Sequence, residues 1–167
     1  MTVNLSQLPM SRNSFRLLLW MVLAVAVVGC KDGTVYDRYA HTPLSGWEKN
    51  DTLSFDVSPV AVDGLFHEEV GIRINGAYPF MQLSVIVEQQ QLPMGFRRAD
   101  TLDMALHDKE GHVLGRGVNY YQYRFPITDL HLNRGDSLHV TIRHNMKREI
   151  LPGIADIGFR LVSAHRL

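Results

Sequence analysis

Cysteine is almost missing: Cys30 is the single one in 167 residues. One thiol makes no internal disulfide, no CxxC redox pair and no multi-cysteine zinc site. An excess of one charge sign is missing too. Seventeen Lys and Arg balance seventeen Asp and Glu, so no global field draws the chain to nucleic acid. The sequence has no GxSxG elbow, no phosphate-cradling glycine loop and no serine in a Gly-rich strand–helix turn, which removes the common signatures of nucleophilic and nucleotide chemistry. It offers no amphipathic helix longer than two turns and no internal repeat. With 46% apolar and 20% charged residues it is not a disordered chain, and its length suits one domain with an appendage.

What is present begins with an address. Leu17 to Gly29 is a run of thirteen uncharged residues, preceded by Arg12 and Arg16 and followed at once by Cys30. A basic flank, a short apolar core and small residues at the cut describe a secretory signal. A membrane span needs about 20 apolar residues, and a buried amphipathic helix would not be apolar on every face. Val27-Val28-Gly29-Cys30 resembles a bacterial lipobox, with Val27 where leucine is usual. Residues 1–29 are therefore expected to be a lipoprotein signal peptide, with translation starting at Met1 or Met10, and Cys30 to carry the lipid. A mature lipoprotein normally bears three acyl chains, and two or more hold a protein firmly. Lys31 rather than Asp follows the cysteine, so the expected address is the outer membrane, with the body facing the periplasm. Once Arg12 and Arg16 are gone, the body carries two more acidic than basic residues. A domain of that length buries roughly two-thirds of its unfolded surface.

Residues 30–50 are polar and punctuated by Gly and Pro around Tyr36, Tyr39 and Trp47. They read as the lipidated Cys30 plus a tether ending in a strap, with Trp47 packed onto the domain of residues 51–167. Beyond them a period of two dominates. Leu53-Phe55-Val57, Val70-Ile72-Ile74, Leu83-Val85-Val87, Leu102-Met104-Leu106, Leu138-Val140-Ile142 and Ile157-Phe159-Leu161 all alternate with other residues, and shorter candidates lie at residues 112–118 and 121–125. Turn signals such as Asp63-Gly64, Asn75-Gly76 and Pro152-Gly153 separate them. Gln89-Gln90-Gln91 reads as part of a loop with Pro93 and Gly95. About eight strands, each with one wet face, must bury their dry faces against each other. The expected fold is all-β, an antiparallel sandwich of jelly-roll or immunoglobulin-like form, with a closed barrel as the alternative.

Chemistry-bearing groups are sparse. His107 and His112 flank the turn Asp108-Lys109-Glu110-Gly111 and would face each other across a four-residue hairpin. A metal site needs three or four converging ligands, so a solvated hairpin end is the simpler reading and no metal is expected. Glu68 and Glu69 are neighbours and on a strand must point to opposite faces. Contact surfaces are better represented. Arg143, His144, Lys147 and Arg148 make a basic cluster suited to an acidic partner or to blunting an edge strand. In the run Tyr120, Tyr121, Tyr123 and Phe125, one alternating set must pack inward and the other is free for contact. Arg143, Lys147, Arg148, Tyr121 and Tyr123 are the candidate partner-binding residues, and no catalytic residue is assigned.

Four segments in order look like a known family. They are Thr34-Val35-Tyr36-Asp37 with Gly46-Trp47 and the Leu53–Val57 strand; Tyr78-Pro79-Phe80 before Leu83; Asp100-Thr101-Leu102 through Gly111-His112-Val113-Leu114-Gly115-Arg116-Gly117; and Arg143-His144-Asn145-Met146-Lys147 with Leu151-Pro152-Gly153-Ile154-Ala155-Asp156-Ile157-Gly158. Together they resemble the gliding-motility lipoprotein family GldH of Bacteroidetes, with Val113 where that family often has Trp and Lys147 where it has Arg. The resemblance implies a non-enzymatic accessory lipoprotein that supports gliding and type IX protein secretion. It also implies other proteins of those systems as partners. Apart from the lipid on Cys30 no cofactor is expected, nor any nucleic acid or small-molecule substrate. The alternative function is a surface or periplasmic lipoprotein that binds glycans or peptides.

Overall fold

The computed structural model describes residues 33–164. Its elements are strands: β1 (Thr34–His41), β2 (Trp47–Glu48), β3 (Leu53–Val57), β4 (Gly64–Asn75), β5 (Gln82–Leu92), β6 (Phe96–Ala105), β7 (Tyr120–Leu132), β8 (Ser137–His144), β9 (Ile150–Leu151) and β10 (Ile154–Ser163). The first four-stranded sheet has the order β1-β10-β4-β7 and the second β3-β8-β5-β6, with β2 and β9 forming a two-stranded ribbon. Every pairing is antiparallel.

A nested pattern of pairing explains this order. β5 pairs with β6, β4 with β7, β3 with β8, β2 with β9 and β1 with β10. The domain is one long hairpin whose tip is the turn at residues 93–95. That hairpin is rolled up so that, the β2–β9 ribbon aside, successive pairs fall alternately in one sheet and the other. Rolling brings β10 against β4 and β8 against β5. This is a jelly-roll, which decides between the sandwich forms left open by the alternation.

Between the sheets lie the alternating residues. Phe66, Val70, Ile72 and Ile74 of β4 face Leu83, Val85 and Val87 of β5, while Ile157, Phe159 and Leu161 face Phe55, Val140 and Ile142; all are buried. Phe55 and Phe159 meet across the gap with ring centroids 6.2 Å apart. Two polar pairs also lie inside. Gln89 Nε2 donates to Glu68 Oε2 at 2.9 Å, and Gln91 Nε2 donates to Asp136 Oδ2 at 2.7 Å.

Three local expectations need correction. Gln89 to Gln91 belong to β5 and not to a loop, because the two inward amides find buried carboxylates as partners and so satisfy the rule for buried polar groups. Residues 34–41, read within the tether, are the edge strand β1, where Tyr36 packs on Phe159 at 6.1 Å. Residues 112–118 form no strand; isolated bridges, His107–Val113 and Arg116–Gln122, and single hydrogen bonds hold that stretch.

The roll has two ends. At the near one lie Gly33, Ala164 and the loops 58–63, 93–95 and 133–136. At the far one lie the loops 42–52, 76–81, 106–119 and 145–153 with the β2–β9 ribbon.

Candidate functional site

The far end is built tightly from within. Trp47 is completely buried, its Nε1–H donates to the Asp51 carbonyl at 3.0 Å, and it meets the His144 ring edge-on at 5.2 Å. Burial pushes the His144 imidazole down from its ordinary value, so it is neutral at pH 7. Tyr78 donates its hydroxyl proton to the Gln82 carbonyl at 2.8 Å and packs edge-on to Phe80. Gly153 lies against Tyr78: its φ of +80° and the Tyr78 backbone leave no room for a Cβ, and its carbonyl accepts from the Asn75 N–H at 2.9 Å. In the long loop the Tyr123 hydroxyl donates to the Leu106 carbonyl at 2.9 Å, and the Leu114 N–H donates to the same carbonyl at 3.0 Å. The Ser84 N–H points at the Met146 sulfur at 3.4 Å. Four loops are thus fixed by buried side chains and backbone bonds.

On this fixed base stand Leu44, Met81, Leu114, Val118, Tyr120 and Ile150, all exposed, together with the exposed cations Arg116, Lys147 and Arg148. Scattered apolar residues are ordinary on a surface, but several on one end with cations between them have the composition of a protein contact. Lys147 and Arg148 lie where the sequence places them, on the loop after β8. Arg143 lies on the outer face of the second sheet and donates to Glu88 at 3.4 Å. His144 points the other way, into the core, and drops out of the basic cluster. The aromatic run also sorts differently. Tyr121, Tyr123 and Phe125 pair with Ile74, Ile72 and Val70, the buried row of β4, so Tyr123 is buried and Tyr121 half-buried. Tyr120 is the member that reaches solvent, and no row of exposed aromatics forms along β7.

Next to the loops, the outer face of the first sheet carries a charged array that the alternation did not reveal. Tyr39 lies flat over Gly71 and Gly158, where any Cβ would strike its ring. Arg73 sits over the ring at 4.1 Å, and Gln122 donates to its hydroxyl at 3.2 Å. Burial pushes the phenol up from its ordinary value, against the pull of Arg124 and Arg73. Beyond it Arg124 reaches Asp37 at 2.8 Å and Glu69 at 3.7 Å, while Arg160 reaches Glu69 at 2.9 Å and Asp37 at 3.6 Å. Toward the far end, Asp156 is held by His41 and by Arg73 at 3.5 Å. These groups open onto a groove of about 620 Å³ rimmed by Leu44 and Tyr120. Mid-strand glycines were the available signal for Tyr39, since they mark close approach to a strand.

The network is partly exposed, so its members are worth little singly. A double-mutant cycle of Arg124→Gln and Asp37→Asn is expected to give a coupling of about 0.5–1 kcal/mol, shrinking in 1 M salt. A coupling that is zero at low salt would show that the two side chains do not hold one another in solution.

The histidine hairpin does not assemble as expected. His107 bridges to Val113, so His112 does not face it. Asp108, Glu110 and His112 do bring ligand atoms within 4.8 Å of one another. However, Asp108 Oδ1 already accepts from the N–H groups of Glu110 and His112, at 3.0 and 2.7 Å, which is ordinary turn chemistry. Cys30 lies outside the described residues.

The family description "GldH lipoprotein" matches residues 34–161, which includes every strand except the last two residues of β10. A Flavobacterium johnsoniae protein named gliding motility lipoprotein GldH is 29% identical over 162 residues, covering 90% of this chain and 96% of its own length. Among solved structures, one from Sulfurospirillum deleyianum has a TM-score of 0.43 at 9% identity, covering 78% of this chain and 99% of that one. A GH115 4-O-methyl-alpha-glucuronidase with specificity for decorated arabinogalactans has a TM-score of 0.42 at 14% identity, and the match covers 79% of this chain and 18% of the enzyme. Structural likenesses of that size carry no argument about function.

Proposed function

The chain belongs to the GldH lipoprotein family, and from that premise we propose that it supports gliding motility and type IX protein secretion through protein–protein contacts. In this reading the lipid on Cys30 holds it to the outer membrane, the body faces the periplasm, and no catalysis is involved. The observation that carries the reading is the far end. Buried Trp47, Tyr78 and Tyr123, with Gly153 against the Tyr78 backbone, hold four loops in place, while Leu44, Val118, Tyr120, Lys147 and Arg148 stand exposed on them. A preset surface of apolar and cationic side chains suits docking, because little conformational entropy is lost on association. The titratable groups of the first sheet's outer face are matched in pairs, which suits a structural face better than a reaction centre.

The secreted proteome tests this. A deletion strain should lose from the medium the proteins that bear type IX sorting domains, with their precursors trapped inside. The intact gene should restore them and the Cys30→Ala gene should not. Unchanged secretion in the deletion strain would remove the secretion role, and full rescue by a soluble Cys30→Ala protein would remove the anchor.

A further inference from the structure

The near end carries an apolar fringe that the fold does not use. Val62 stands on the loop before β4 and Leu65 at its start, while Met94 and Phe96 stand at the hairpin tip. All four are exposed, Met94 at 75% and Phe96 at 57%. Arg97 and Arg134 lie exposed beside them. The loop that bears Val62 and the loop that bears Arg134 are tied to one another. The Val60 N–H donates to the Asp136 carbonyl and the Gly135 N–H to the Val60 carbonyl, both at 2.9 Å. The same end holds the first described residue, since the Ser163 N–H donates to the Gly33 carbonyl at 2.9 Å and the Ala164 N–H to the Leu65 carbonyl at 2.8 Å.

Chain length now says what meets this fringe. Only Lys31, Asp32 and Gly33 separate Cys30 from Thr34, so the two α-carbons are at most about 14 Å apart. An acylated Cys30 sits at headgroup level, and that reach keeps the near end close to the bilayer. Neither sheet face is an alternative. Laying the first sheet flat would strip water from Asp37 and Glu69, and laying the second flat would strip it from Asp56 and Glu88, which is costly for charges. The far end lies a strand away, roughly 35–40 Å for the twelve residues of β4.

We propose that Val62, Leu65, Met94 and Phe96 enter the lipid interface, with Arg97 and Arg134 against lipid phosphates. The near end is then a second, non-covalent membrane contact, and it holds the far-end loops away from the bilayer. This inference rests on the acylation of Cys30 in the reading above.

Site-specific quenching tests it. In the mature lipoprotein the Cys30 sulfur is a thioether, so Met94→Cys or Leu44→Cys adds the only free thiol for a fluorophore. Each labelled protein is reconstituted in phosphatidylethanolamine–phosphatidylglycerol vesicles containing a lipid with a nitroxide near the headgroup. Quenching at position 94 should exceed that at position 44 at least three-fold, and a Leu65→Cys label should behave like position 94. The mass of the N-terminal peptide and flotation with the vesicles report the anchor independently. A protein that carries no lipid and does not float overturns the anchor reading, and this inference with it. One that floats but quenches equally at positions 94 and 44 overturns the inference alone. So does self-quenching between labels at position 94 without lipid quenching, which would place a second copy there.

Discussion

Alanine at Trp47 should remove about 3–5 kcal/mol of stability, the range for truncating a buried large aromatic. The side chain is completely buried and forms the centre of the far end. Its ring is the edge-on partner of a neutral, buried His144, and its N–H is the donor for the Asp51 carbonyl. Its backbone pairs with Leu151 in the β2–β9 ribbon. Deletion leaves a cavity lined by groups that cannot close over it, because the ribbon is pinned on both sides. A domain of this size has about 5–15 kcal/mol to lose, so the melting midpoint should fall by about 10–20 °C. Trp47→Phe keeps most of the packing but leaves the Asp51 carbonyl without its donor, a loss of about 1 kcal/mol. In a protein prepared without residues 1–29, and so without Trp20, Trp47 is the sole tryptophan, so its fluorescence reports its own environment. Thermal melts of the three proteins decide the matter. A fall below 3 °C for Trp47→Ala would mean that the ribbon does not rest on this ring.

Much of this architecture is legible in the residues, and the illegible parts have identifiable physical causes. Alternation works where one strand face reaches solvent, as for Leu138-Val140-Ile142. It fails for β1, because Tyr39 on the outer face is covered by Arg73 and rests on Gly71 and Gly158, so both faces carry packed aromatics. It fails for Gln89 and Gln91, because an amide facing a buried carboxylate is as much a core residue as valine. The length of β7 is hidden by Pro126, which is tolerated because β7 is an edge strand with a bulge at that point. Register is not written in an aromatic run, so Tyr121 and Tyr123 could not be assigned to a face until Ile74 and Ile72 were seen opposite them. Nested pairing depends on contacts across the whole chain, which no local pattern contains. The segments that resemble the family are a separate case. Gly46-Trp47, Tyr78-Pro79-Phe80, Gly115 and Pro152-Gly153 all lie at the far end, where they set the shape of loops whose exposed residues lie mostly outside those segments.

Glu68 should make the protein less stable as the pH rises, opposite to the usual behaviour of a carboxylate. Alternation along β4 places this side chain between Phe66 and Val70 on the face turned between the sheets, where it is 1% exposed and bonded to Gln89 alone. Burial pushes its carboxyl up from the ordinary 4.5 to about 7, with the Gln89 bond and Arg98 pulling the other way and Asp100 adding to the rise. The folded protein therefore holds a proton that the unfolded chain releases between pH 4.5 and 7. Its contribution is complete below pH 4.5 and declines as the pH rises through 7. The span amounts to about 3 kcal/mol, taking 1.36 kcal/mol for each pH unit. His144 changes stability in the other direction, since its lowered value is lost to the unfolded chain as pH falls, so the raw pH curve mixes the two. The difference between the parent and Glu68→Gln separates them, because glutamine keeps the acceptor for Gln89 and cannot ionise. Urea midpoints of the two proteins should coincide near pH 4, and by pH 8 the variant should be more stable by about 3 kcal/mol. If the gap stays constant from pH 5 to pH 8, Glu68 is ionised in the folded protein and its charge is balanced inside the roll.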